Sequence, residues 1–125
     1  MIWKKEIVEQ LSKDLSLPFT GIEQDWDLEM ADSTRVSDFL NFYKQNDLSV
    51  DKKVALMSLI LASYDDFLSE NDLETDDKWD EIKEILELEK ETYVELIDYW
   101  SSNNVAGEDN LFCVTPLIRG IKTDN

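Results

Sequence analysis

A segment near the middle of the chain, from Val54 to Phe67, is apolar on almost every side of a helix. It reads V-A-L-M-S-L-I-L-A-S-Y-D-D-F and contains neither glycine nor proline. An amphipathic surface helix buries one stripe, whereas a helix that is apolar all round must be contacted on several sides. The segment therefore predicts a central helix in a helical bundle, with Leu56, Met57 and residues 59–61 as its deepest positions.

Shorter segments on both sides of this helix carry apolar residues at three- and four-residue spacing, which is typical of amphipathic helices. They predict helices near residues 2–16, 33–46, 77–88, 90–101 and 116–121. Residues 22–32 fit either a short strand or an irregular loop. With only 3 glycines and 2 prolines the chain has no obvious linker. The sequence thus predicts a mainly α fold, a single domain over residues 1–125 with five or six helices.

The apolar spacing from Trp79 to Trp100 is interrupted at Glu89, where a carboxylate takes the place of an apolar residue. An isolated carboxylate in a core costs several kcal/mol unless it is paired. We therefore predict that the helix breaks between Leu88 and Lys90 instead of continuing unbroken to Ser101.

The negative charge is concentrated in one part of the chain. The whole chain has 29 acidic and 12 basic residues and a net charge of -17. Residues 64–98 alone carry 15 acidic and 3 basic residues, a net of -12. Solubility requires a net charge of only about 2 to 8 in magnitude on a small domain. The excess disfavours direct binding to nucleic acid or to an anionic membrane, and it predicts a steering surface for a basic protein.

The candidate partner-binding residues follow from this concentration of charge. If Trp79, Ile82 and Leu86 face the core, the carboxylates between them project into solvent. Trp26 has an aspartate on each side and could either pack in the core or anchor a basic partner, as tryptophan often does. The candidates are Asp25, Trp26, Asp27, Asp65, Asp66, Glu70, Asp72, Asp77, Asp80, Glu81, Glu84 and Glu87.

The residues required by several catalytic and metal sites are missing. The chain has no histidine, which excludes Ser-His and Cys-His nucleophiles, and its lone cysteine, Cys113, excludes an internal disulfide. Cys113 lies in an apolar run and is predicted to be a buried, inert thiol. Asp72, Glu74 and Asp76 alternate like the start of a calcium loop, but Asp77 occupies the position that requires glycine. We predict no catalytic residue, no cofactor, no metal and no enzyme; a metal-dependent hydrolase that uses the carboxylates is the most distant of the alternatives.

The first nine residues lack the apolar run and the cleavage site of a signal peptide. No stretch approaches the roughly 20 apolar residues that span a bilayer. A lone thiol without an export signal indicates a cytoplasmic protein.

The stretch L-I-D-Y-W-S-S-N-N at residues 96–104, which leads to Gly107 and Phe112, is similar to the end of the last helix in nuclease-colicin immunity proteins. The chain as a whole, being small, acidic, helical and free of histidine, resembles the bacterial immunity proteins of colicin-type or contact-dependent growth inhibition systems. The resemblance implies a non-enzymatic inhibitor that binds and neutralises a cognate basic toxin, a nuclease domain foremost. It implies no binding residues, because the paired tyrosines of those proteins are not found in the equivalent context.

Two other functions fit the same sequence. A DNA mimic would block a nucleic-acid-binding protein and would compete with duplex DNA for unrelated basic proteins. An adaptor protein would form a homodimer through an apolar face of the bundle and would remain a dimer at low concentration.

Overall fold

The computed structural model describes residues 3–101 and 112–123. Within these ranges the protein is mainly α, as predicted, and has seven helices and no strand. The helices are α1 (Lys5–Asp14), α2 (Trp26–Glu29), α3 (Val36–Gln45), α4 (Val50–Asn71), α5 (Asp77–Leu88), α6 (Val94–Trp100) and α7 (Thr115–Thr123).

Two compact units divide the chain, Met1–Tyr64 (unit 1) and Asp65–Asn125 (unit 2). The boundary lies within α4, so this helix contributes residues to both. The single domain over residues 1–125 stays a prediction, and each unit is described by itself.

Unit 1 consists of α1, α2, α3 and the first part of α4, and its core follows the apolar spacing of the sequence. The predicted deepest residues of the central helix, Leu56, Met57 and residues 59–61, are completely buried. Leu11 of α1 and Phe39 of α3 are also completely buried. The prediction of a central helix contacted on several sides is therefore confirmed for this part of α4.

Helix α2 forms within residues 22–32, where the sequence left a strand or a loop open. The Met30 amide donates to the Trp26 carbonyl oxygen at 2.9 Å, and both side chains are buried. Residues four positions apart lie one above the other on a helix, so the spacing of Trp26 and Met30 fits a helix as well as a strand. In addition, the Ser58 hydroxyl of α4 donates to the buried Asp27 carboxylate at 2.6 Å, which holds α2 against the central helix.

In unit 2 the predicted helix break at Glu89 is confirmed. Helix α5 ends at Leu88, Glu89 caps it, and α6 begins at Val94. The Tyr93 amide donates to the Glu89 carbonyl oxygen at 3.2 Å, so a tight turn joins the two helices. The turn allows Tyr93 to be buried while the Glu89 side chain keeps partial access to solvent.

Helix α7 packs against α5 and α6 and completes unit 2. The buried Thr115 hydroxyl accepts from the Phe112 amide at 3.1 Å and donates to the Trp100 carbonyl oxygen at 2.9 Å, which ties the start of α7 to the end of α6. The part of the 96–104 stretch that follows Ser101, and Gly107, lie outside the described residues. Among the described residues, no helix combines the length and the apolar character needed to cross a membrane.

Candidate partner-binding surface

Helix α5 has a firmly defined start and a buried side. Asp76 caps the helix, since its carboxylate accepts the Lys78 amide at 3.0 Å. Trp79, Ile82 and Leu86 are buried at three- and four-residue spacing, as predicted. Because these three residues fix the rotation of the helix, they also determine which side chains point away from the core.

Five exposed carboxylates occupy the opposite side of α5, and we call this set the acidic face. At about 100° per residue, its members span a sector of roughly 120° opposite the buried residues. The structure therefore brings together five of the predicted residues on one helix surface. The acidic face consists of Asp77, Asp80, Glu81, Glu84 and Glu87.

The lysines near the acidic face cannot neutralise it. Lys78 Nζ lies 3.2 Å from an Asp76 carboxylate oxygen and 4.3 Å from the centre of the Phe67 ring. Lys83 Nζ lies 3.6 Å from a Glu87 carboxylate oxygen. Residues 64–98 contain 3 basic residues against 15 acidic ones. The surface consequently keeps a strong negative potential, which attracts cationic groups over distances set by the salt concentration.

Three further predicted residues, Asp65, Asp66 and Glu70, lie in the last turns of α4. Asp65 is half-buried and accepts the Val114 amide at 3.1 Å; burial raises its pKa, although the Val114 and Cys113 amides act in the opposite direction. The exposed Asp66 has its pKa raised by partial burial and then by the charges of Asp65 and Glu70. Asp65 therefore holds the segment before α7, and a cation near Asp66 would relieve like-charge repulsion.

Asp72 lies in the turn that ends α4, where its φ of 53° is in the left-handed region. The Leu73 amide donates to the Leu68 carbonyl oxygen at 2.9 Å, a bond that closes the end of the helix. The Asp72 side chain is exposed, and the connector from Asp72 to Asp76 joins the last turns of α4 to the acidic face along the chain.

The structure corrects the prediction for the segment around Trp26. Trp26 is only 2% exposed and Asp27 only 5%, so neither side chain can serve as a surface anchor. The Trp26 indole N–H donates to the Ser12 hydroxyl oxygen at 2.8 Å, and its ring meets that of Trp3 edge-on at 6.4 Å. Asp25 remains exposed at the start of α2. We therefore leave Trp26 and Asp27 out of the proposed surface.

A loop of unit 1 that the sequence analysis missed is held by the Glu23 carboxylate. This group accepts the amides of Thr20, Gly21 and Ile22 at 2.9, 3.0 and 3.0 Å, and the Thr20 hydroxyl at 2.7 Å. Gly21 has a φ of 98°, which favours glycine. The spacing of threonine and glutamate, T-G-I-E, is the signature of a capping box and could have indicated this arrangement. The loop holds Ile22 in an 86% exposed position.

The hydrogen bonds from Thr20, led by its hydroxyl, lower the pKa of Glu23 from 4.5 to about 2. A carboxyl group whose pKa is depressed in the folded state stabilises that state at pH values above the ordinary pKa of the group. This stabilisation is lost as the pH falls towards about 2. We expect Glu23→Gln to melt below the wild type at neutral pH and the difference to shrink between about pH 5 and pH 2. Thermal melting followed by circular dichroism measures this. The exposed Glu6→Gln is the control, and equal melting temperatures for wild type and Glu23→Gln at neutral pH would contradict the expectation.

Cys113 differs from its prediction, because the thiol is exposed and not buried. Desolvation, followed by the charge of Asp65, raises its pKa above that of an ordinary cysteine, which favours the protonated, weakly nucleophilic thiol. Within residues 3–101 and 112–123, no three Cys, Asp or Glu side chains are grouped so as to hold a metal ion.

Comparison of the chain with protein-family models, with curated proteins and with solved structures finds no match. Its function must therefore be inferred from its own residues and geometry.

Proposed function

We propose that the protein is a cytoplasmic, non-enzymatic inhibitor that binds and neutralises a cognate basic toxin, a nuclease domain foremost. The proposal is supported above all by the acidic face. It lies in residues 64–98, whose net charge of -12 exceeds what solubility requires of a whole small domain, and like charges one turn apart on a helix are slightly destabilising. A surface that folding does not need and that costs some stability is typical of a surface used for binding.

The spacing of the carboxylates fits a partner that binds nucleic acid. Asp77 and Glu87 lie about 15 Å apart along the axis of α5, since each residue of a helix rises about 1.5 Å. The axial steps between successive carboxylates are about 4.5, 1.5, 4.5 and 4.5 Å, so their mean density of about one charge per 4 Å of axis is similar to the roughly one charge per 3.4 Å along one strand of duplex DNA. A nuclease surface built to hold a phosphate backbone presents lysine and arginine at a matching density, and the acidic face can occupy it in place of the substrate.

The proposal is tested by measuring the association rate constant with the purified product of the neighbouring gene at increasing NaCl concentration. Electrostatic steering raises this rate constant roughly ten- to thousandfold at low salt, and about 1 M salt reduces the Debye length to about 3 Å. We expect the rate constant to fall by that factor over this range. A partner that is not basic, or a rate constant that does not depend on salt, would contradict the proposal.

A second candidate, a DNA mimic directed at many nucleic-acid-binding proteins, is favoured by the same charge spacing. The two candidates differ in selectivity, because a dedicated inhibitor also depends on contacts that match only one partner. Competition with duplex DNA for several unrelated basic proteins would favour the mimic, whereas tight binding to one of them alone would favour the inhibitor.

A further inference from the structure

Two apolar side chains are exposed at the turn between α5 and α6. Leu88, the last residue of α5, is 77% exposed, and Val94, the first residue of α6, is 54% exposed. Single exposed apolar residues are ordinary on protein surfaces, so their exposure alone indicates nothing. The position of Leu88 is more informative, because this residue lies one helical turn after Glu84 and therefore within the sector of the acidic face.

The surroundings of Leu88 limit what can cover it. A second copy of the chain in a symmetric dimer would set the same patch against itself. The carboxylates of Glu84, Glu87 and the exposed Glu91 would then meet the same acidic set on the second copy, and such like-charge contacts are unfavourable. A protein surface that is apolar at its centre and carries lysine or arginine around it complements both the leucine and the carboxylates.

We infer that Leu88 is the apolar anchor of the interface, and that the partner receives it in an apolar pocket ringed by basic side chains. This inference rests on the proposed function and adds what the partner's surface must contain. Carboxylates at the rim of an interface stay hydrated and mainly accelerate association, whereas an apolar side chain in a dry pocket slows dissociation. The acidic face thus accelerates association with the partner, and Leu88 slows dissociation from it.

The test uses two lysine-rich synthetic peptides of equal length and charge, one with leucines at regular positions and the other with serines in their place. We expect the wild-type protein to bind the leucine peptide more tightly than the serine peptide. Leu88→Ser should weaken binding of the leucine peptide about five- to twentyfold and leave the serine peptide unaffected, because only the leucine peptide can enclose the anchor. Isothermal titration calorimetry at low salt measures both affinities.

Ile22→Ser is the matched control, since Ile22 is 86% exposed but lies in unit 1, away from the acidic face in the chain. It should bind both peptides as the wild type does. Both substitutions replace strongly exposed side chains, and equal melting temperatures will show that both variants are folded.

The outcomes separate the inference that Leu88 is an anchor from the proposed function as an electrostatically guided inhibitor. If Leu88→Ser binds the leucine peptide as tightly as the wild type while salt still weakens binding of both peptides, the anchor is refuted and the electrostatic function stands. If neither peptide binds the wild type at low salt, the proposed function fails as well. A wild-type dimer in sedimentation that Leu88→Ser converts to a monomer would show that a second copy covers the patch, and would overturn the inference.

Discussion

We expect Trp26→Ala to lower the free energy of unfolding by about 3 to 5 kcal/mol, the range observed when large buried aromatic side chains are truncated. Trp26 is 2% exposed, so the substitution leaves a cavity that its neighbours can only partly fill. The loss also removes the hydrogen bond to Ser12 and the edge-on contact with Trp3. Urea unfolding followed by far-ultraviolet circular dichroism measures the change.

Two matched variants separate packing from hydrogen bonding at this position. Trp26→Phe keeps most of the apolar volume but loses the indole N–H, and Ser12→Ala removes the acceptor and leaves that N–H buried. A buried donor without a partner costs about 1 to 3 kcal/mol, so each variant should lose less stability than Trp26→Ala. If Trp26→Ala changed the unfolding free energy by under about 1 kcal/mol, the buried position of Trp26 would be contradicted.

We expect the acidic face to control the rate of association with the partner. Replacing four of its members with their neutral amides should reduce the association rate constant about ten- to thousandfold at low salt, with a much smaller effect on dissociation. The fold should tolerate the change with little net effect on stability, because the relief of like-charge repulsion on α5 is offset by the loss of the Asp80 charge at the first turn and of the Lys83–Glu87 ion pair. The variant is Asp80→Asn, Glu81→Gln, Glu84→Gln and Glu87→Gln combined, measured by stopped-flow kinetics with the neighbouring-gene product.

The control is a variant with the same change in net charge at exposed positions of unit 1. It should reduce the association rate constant far less, since steering depends on where the charges lie and not only on their sum. Equal reductions in the two variants would show that net charge alone is responsible and would remove α5 from the proposed interface. The control substitutions are Glu6→Gln, Asp14→Asn, Asp38→Asn and Asp47→Asn.

The long amphipathic segments could be predicted from the sequence because their apolar spacing is a local property. The spacing of Trp79, Ile82 and Leu86 was sufficient to place the carboxylates of α5 in solvent. The break at Glu89 followed from the cost of burying a charge. A four-residue helix such as α2 has too few turns to show a period, and the sequence therefore left residues 22–32 open.

Whether a single residue is buried or exposed depended on contacts with residues that are distant in the sequence. The aspartates beside Trp26 suggested an exposed anchor, but Ser12 supplies a hydrogen-bond acceptor from α1 that makes burial of the indole favourable. The apolar neighbours of Cys113 likewise suggested burial of a thiol that is exposed. For the candidate surface, the sequence predicted the carboxylates, whereas the exposure of Leu88 was evident only in the structure.

The termination of α5 at Leu88 has an electrostatic consequence. Helix ends carry partial charges, positive at the first turn and negative at the last. The first turn of α5 contains Asp77 and Asp80, whose negative charges are favourable at this positive end. The last turn contains no basic residue and ends beside Glu87 and Glu89. The unbound protein thus keeps an unfavourable macrodipole arrangement at the end of α5. A cationic partner would relieve this frustration as it docks, and part of its affinity would come from a strain that the free helix already contains.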